Sequence, residues 1–323
     1  MGRGGSSRAR KSVPALRIDL AAAPGPVPGK QARQLGQQVT FDAVPTSRLR
    51  RRGISGITLL IVVLTAVGLY VAFQRVAPLI KGSGCEAKGS GLVLSLGTGQ
   101  AAIAATIAGV AQRDALPARA VTVAYAAALQ ESKLENLKYG DRDSVGVFQQ
   151  RPSEGWGKRS QLEDPVYATS KFFGALAKVP GYQQLPVYQA AQAVQHSADG
   201  DAYKQFQPMA TRMASAFTGQ DPHAVWCWYA QKIGKKARVG AASLELKKTF
   251  GPHATRPTTD PGLIVHVGST SEGWAVAAWL VSHAQQYQIA DVRFDGYQWT
   301  AANGARGWSR SLFPARPKSI ELG

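Results

Sequence analysis

Residues Pro117 to Gln130, PARAVTVAYAAALQ, constrain the chain more than any other stretch. Wound as a helix, the run is apolar on nearly every face, and such a helix has to be enclosed by other elements. Pro117 stands where a first helical turn tolerates proline. Glu131 and Ser132 follow Gln130 at the end of the run, so Glu131 is a charge at the edge of a core, the setting a general acid needs near neutral pH. The alternative is a glutamate solvated at a fraying helix end, the commoner fate of a carboxylate. Gly146-Val147-Phe148-Gln149 begins fifteen residues after Glu131.

The chain is long enough, at 323 residues, for one or two globular domains with appendages. Its net charge of +18 is unevenly spread, because residues 1–52 hold eleven Lys or Arg against two acids. That stretch is rich in Gly, Pro, Ala, Ser and Arg without sustained periodicity, which predicts a disordered basic tail. From Gly53 to Phe73 no charge occurs over 21 residues, about 31 Å as a helix and enough to cross a bilayer. Arg48, Arg50, Arg51 and Arg52 abut its start and only Arg75 lies close beyond its end. The expectation is therefore one membrane span at 53–73 with a cytoplasmic N-terminus and the globular part outside. A cleaved signal peptide is the competing reading, against which stand the long preceding region, the length of the apolar stretch and the lack of a clean small-x-small site. Cys85 and Cys227 are the only cysteines. On an oxidising exterior they suggest a disulfide, with two unpaired thiols, Cys227 packed among Trp226, Trp228 and Tyr229, as the alternative.

Beyond the span, 74–99 reads as a stalk rich in glycine and serine from Gly82, and 100–220 as a mostly helical domain with little strand signal. Asp164-Pro165 opens a helix, with aspartate as cap and proline at its first position. A connector with one helical stretch occupies 221–260. Residues 261–323 read as a small α/β domain: a strand at Leu263–Val267, a helix at Glu272–Gln286 and paired strands around Asp295-Gly296. Trp274, Trp279, Tyr297, Trp299 and Trp308 form either a binding face or, as aromatics at such spacing more often do, a core.

No phosphate loop, zinc-type cysteine and histidine cluster or nucleophile elbow occurs, so neither metal nor cofactor is expected. The loop after Glu131 carries Tyr139, Asp141, Asp143, Phe148, Gln149, Gln150 and Trp156, amide and aromatic groups suited to sugar rings. Glycoside cleavage needs an acid on the leaving oxygen and, usually, a second carboxylate, for which Asp141 and Asp143 are candidates; the plainer reading of GDRDS is a polar turn in which aspartates cap backbone N–H groups.

Glu131-Ser132 followed by Gly146-Val147-Phe148-Gln149 resembles the lysozyme-like lytic transglycosylases, whose pattern is Glu-Ser at a helix end and then Gly-Leu-Met-Gln. LQESKLENLKYGDRDSVGVFQQRPSEGWG and DPVYATSKFFGALAKVPGYQQLPVYQAAQAVQHS look like an actinobacterial membrane-anchored subgroup of that superfamily, over roughly 100–218. The resemblance implies a mainly α fold: a lysozyme-like helical domain preceded by one transmembrane helix and followed by a small α/β domain. It also implies cleavage of the MurNAc–GlcNAc bond of peptidoglycan by Glu131 alone, as acid and then base, with the muramyl 6-hydroxyl as nucleophile and an anhydro product. By the same match Ser132 steadies the glutamate or the substrate, Gly146 lets the backbone approach the sugar, and Gln149 lines the groove; Tyr139, Phe148 and Gln150 are further binding candidates from the composition of the loop itself. The pattern departs at Ala193-Val194-Gln195-His196-Ser197, where the family carries an Ala-Tyr-Asn type motif, so an aromatic hydroxyl beside the acid is missing there.

The leading expectation is a membrane-anchored peptidoglycan lytic enzyme acting on glycan strands. The alternative keeps the fold without catalysis, as a wall-binding or scaffold protein with partners in an envelope machinery for growth, export or conjugation. Eleven cations in a tail can also contact phosphate without specificity, but anionic inner-leaflet lipid is the nearer partner, and nucleic acid is set aside.

Overall fold

The computed structural model describes residues 56–80, 82–196, 200–234, 236–252, 255–257 and 262–323. The expected basic tail, 1–52, and the first residues of the expected span lie outside the described residues.

In chain order the elements are α1 (Gly56–Ile80), the hairpin β1 (Gly84–Gly89) and β2 (Leu92–Leu96), α2 (Thr98–Arg113), α3 (Ala118–Ser132), α4 (Arg159–Leu162), α5 (Pro165–Leu176), α6 (Val187–Gln195), a 3-10 turn Gly200–Phe206, and α7 (Gln207–Phe217). There follow β3 (Val225–Trp228), α8 (Val239–Phe250), β4 (Thr255–Pro257), β5 (Leu263–His266), α9 (Thr270–Ser282), α10 (Ala284–Tyr287), β6 (Asp291–Phe294), β7 (Tyr297–Thr300), β8 (Ser309–Arg310) and β9 (Ser319–Leu322). Two antiparallel sheets result, one in the order β2-β1-β3 and a six-stranded one in the order β4-β5-β9-β6-β7-β8.

The fold is therefore not mainly α, and the reason is visible in β1. Its sequence, GCEAKG, has no β-branched residue and carries none of the local preference that marks a strand. Pairing makes it one: Cys85 lies opposite Cys227 of β3, and the two form a disulfide. The segment read as a stalk thus begins the folded body, with Cys85 and Ala87 fully buried.

The expected transmembrane helix is corrected as well. Among the described residues no helix is long and apolar enough to cross a membrane. α1 has 25 residues, and its positions from Leu59 to Phe73 are exposed throughout.

α3 is enclosed as its composition requires, with Ala120 to Leu129 buried without interruption. α2, α5, α6 and α7 pack around it. Phe148 stacks on Phe172 of α5 at 4.5 Å between ring centres, and Tyr125 meets Phe217 of α7 edge-on at 6.3 Å. The residues beyond 261 share this core, because α9 packs on α2 and a continuous apolar cluster runs from Cys85 to Leu322. Trp299 Nε1 donates to Cys227 O at 3.0 Å and Trp308 Nε1 to Val225 O at 2.7 Å, so β3 is bonded to both halves. Trp274, Trp279 and Trp299 are buried, and Tyr297 and Trp308 are partly buried against them. This aromatic set is core and not a binding face.

Candidate active site

Glu131 sits in the last turn of α3, half-buried. The helix ends abruptly because Lys133 and Leu134 both take left-handed backbone conformations, with φ of 57° and 61°. Leu134 N donates to Ala128 O at 3.1 Å, a closure of the Schellman type that satisfies a terminal carbonyl, and the Leu134 side chain is fully buried. The position of Glu131 is thereby set by a rigid helix end and not by a loop.

Tyr203, on the 3-10 turn Gly200–Phe206, donates its hydroxyl to Glu131 Oε1 at 2.7 Å. Tyr203 is 1% exposed, so the hydroxyl approaches the half-buried carboxylate from the protein side. An aromatic hydroxyl beside the carboxylate, missing from 193–197, is supplied from further along the chain. Its partner is 72 residues away, and the surrounding GDAYKQF carries no local sign of the role.

The other expected site residues divide sharply. Ser132 is buried and donates to Val147 O at 2.7 Å while accepting from Glu135 N at 3.2 Å. It fastens the end of α3 to the 146–149 turn and leaves Glu131 itself to Tyr203. Gly146 is buried, with φ of +79°, and a Cβ there would stand 2.4 Å from Leu162 O. The close approach it permits is to the protein's own backbone. Phe148 is fully buried in the core. Gln149 closes its own loop, its Nε2 donating to Gly146 O at 3.0 Å and its Oε1 accepting from Ser144 Oγ at 3.1 Å. Gln150 is buried and donates to Ala168 O at 3.3 Å. Tyr139 is 74% exposed. The second motif, then, is the frame behind the carboxylate.

Gln195 completes that frame, its Nε2 donating to Phe148 O at 2.8 Å. The atypical Val194-Gln195-His196 still joins α6 to the turn that Ser132 holds.

Of the two aspartates, Asp143 accepts from Ser153 N at 2.8 Å, Ser153 Oγ at 3.0 Å and Arg151 Nε at 2.8 Å. The Ser153 backbone N–H, opposed by partial burial and helped by the Arg151 and Ser153 side chains, holds its carboxyl down at about 2. Asp141 is almost wholly exposed and faces Arg142 at 3.9 Å. GDRDS is a capped polar turn, in which Asp143 is held by Ser153 and Arg151.

The chain matches no protein-family model and no curated protein.

Proposed function

We propose that the protein is a peptidoglycan-cleaving enzyme of the lytic transglycosylase kind, acting outside the cytoplasm on glycan strands. The observation that carries this reading is the 2.7 Å hydrogen bond from Tyr203 to Glu131 on a helix end held rigid from behind. The resemblance of Glu131-Ser132 and Gly146 to Gln149 to that superfamily supports it, as does a disulfide of the sort that persists in oxidising compartments.

In this mechanism Glu131 donates its proton to the glycosidic oxygen as the C1–O bond of the muramyl residue breaks. The resulting carboxylate faces an oxocarbenium-like centre and keeps the Tyr203 hydroxyl on Oε1, a charge-assisted hydrogen bond that strengthens as the glutamate ionises. Glu131 then takes the proton of the muramyl 6-hydroxyl while O6 bonds to C1. The proton count closes without water, and the product is the anhydro sugar. Asp143 is committed to Arg151 and Ser153, which favours this single-carboxylate route over hydrolysis with two.

The catalytically silent reading drew its motive from the missing aromatic hydroxyl, and Tyr203 weakens that motive. Wall embedded in a gel is the test: the wild-type chain clears it and Glu131→Gln does not. Equal clearing by both, or none by the wild type, sinks the enzyme reading. The mass of the released fragments then separates the anhydro product, lighter by one water, from a hydrolysed one.

A further inference from the structure

A groove of about 860 Å³ lies beside α5 and the end of α6 and does not include Glu131. Its floor is one face of α5, because Tyr167, Lys171 and Gly174 recur at helical spacing along it, and Lys178 follows in the turn just past the helix end. Trp156, Val179, Pro180, Ala193 and His196 also line it. A Cβ built on Gly174 meets nothing within 4 Å, so the floor is open there. Tyr167 is held in place by its backing: Gly157, at φ +145°, would put a Cβ 2.6 Å from the Tyr167 hydroxyl oxygen, and only glycine leaves room for it.

The charge of this groove is one-sided. Lys171 and Lys178 are exposed, and among the described residues no Asp or Glu lines the groove and neither lysine has a carboxylate within ion-pair distance. Lys171 Nζ lies 5.3 Å above the Tyr167 ring. Aromatic surface beside two exposed lysines fits a ligand that joins an apolar or ring surface to carboxylates. The α6 end relates the groove to the site, since Gln195 faces the 146–149 turn while Ala193 and His196 face the groove.

We infer that this groove binds the acidic peptide stem of a wall glycan, with Lys171 and Lys178 on its carboxylates and Trp156 and Tyr167 against its apolar parts. The assignment rests on the proposed wall substrate, and it makes the enzyme selective for strands that still carry their peptides.

The test is a binding measurement by calorimetry on the full chain carrying Glu131→Gln, so that no ligand is cut. The probes are a wall disaccharide–tetrapeptide, the free tetrapeptide and chitotetraose, which has no carboxylate. The disaccharide–tetrapeptide is expected to bind more tightly than chitotetraose, and Lys171→Ala with Lys178→Ala to weaken it about tenfold while leaving chitotetraose unchanged. Raising the salt concentration should narrow the difference, as exposed charges are screened. Gly174→Leu, which fills the floor and replaces a poor helix former by a good one, should weaken the peptide-bearing probe to a similar degree with an unfolding temperature no lower than that of the parent.

Wild-type affinity for the disaccharide–tetrapeptide in the double-lysine variant overturns the assignment, and so does failure of that probe to bind the parent. Equal loss for chitotetraose overturns it too, by showing a glycan site instead. Since the readout is binding, loss of the Glu131 reading by gel clearing and loss of the groove are separate results.

Discussion

Tyr203 and Glu131 carry the chemistry proposed for this chain, and their contact sets what a single substitution should do. Tyr203→Phe removes one hydrogen bond to a carboxylate and leaves the ring in its buried place. A bond to a charged group contributes about 1.5–3 kcal/mol, so wall clearing should fall roughly ten- to hundredfold with little change in unfolding temperature. Clearing at the wild-type rate would remove Tyr203 from the mechanism. Glu131 was legible from its place after a buried helix and from the motif behind it, whereas Tyr203 was not, because nothing near it in sequence marks a hydroxyl that meets its partner only through folding. Ser132 and Phe148 show the opposite case: both belong to a readable motif, yet they are buried parts of the frame, since a motif records which residues occur together and not which way they face.

At the scale of elements, the 146–149 turn depends on its glycine. Gly146→Ala meets a left-handed φ and a Cβ 2.4 Å from a backbone oxygen that cannot swing away, so it should destabilise the protein by about 1–3 kcal/mol and loosen Glu131 through Ser132. Thermal unfolding together with gel clearing checks this, and an unaltered melting point would contradict it. The junction of α9 and α10 holds a different device. His283 is buried between Trp279 and Tyr287, with ring centres 4.1 and 6.1 Å away, and burial pushes its imidazole down to about 4, opposed by the Trp279 carbonyl. The folded state therefore stays neutral where the unfolded chain takes a proton. Stability from this group is full above pH ~6.5, declines as the pH falls toward 4, and amounts to roughly 3 kcal/mol across that window. Melting curves between pH 7 and 4 should fall less steeply in His283→Phe than in the wild type, and parallel curves would show that His283 is not the group responsible.

For the whole molecule, the bond between Cys85 and Cys227 closes a loop with a sequence separation of 142 and joins the central strand of the smaller sheet to one of its edge strands. Replacing both cysteines by serine should lower the free energy of unfolding by roughly 2–5 kcal/mol. The urea midpoint measures it, and a midpoint unmoved in the double variant would show that the unfolded chain is not constrained by the bridge. Much of the helical body was readable: α3 from its unbroken apolar run, α5 from Asp164-Pro165 (the Asp164 side chain accepts from Val166 N at 3.0 Å), and the turn between β6 and β7 from Asp295-Gly296, both at positive φ. These are signals between near neighbours in the chain, where propensity and capping act. The sheets were not readable to the same degree, because β1 and β3 are made strands by partners some 140 residues apart, and a buried apolar cluster runs from Cys85 to Leu322. The sequence by itself determined that α3 must be enclosed and that a carboxylate would stand at its end. Only the tertiary structure decided which hydroxyl meets that carboxylate, which motif residues turn inward and which residues line the groove with Lys171 and Lys178, since each of these depends on contacts between segments that no local preference encodes.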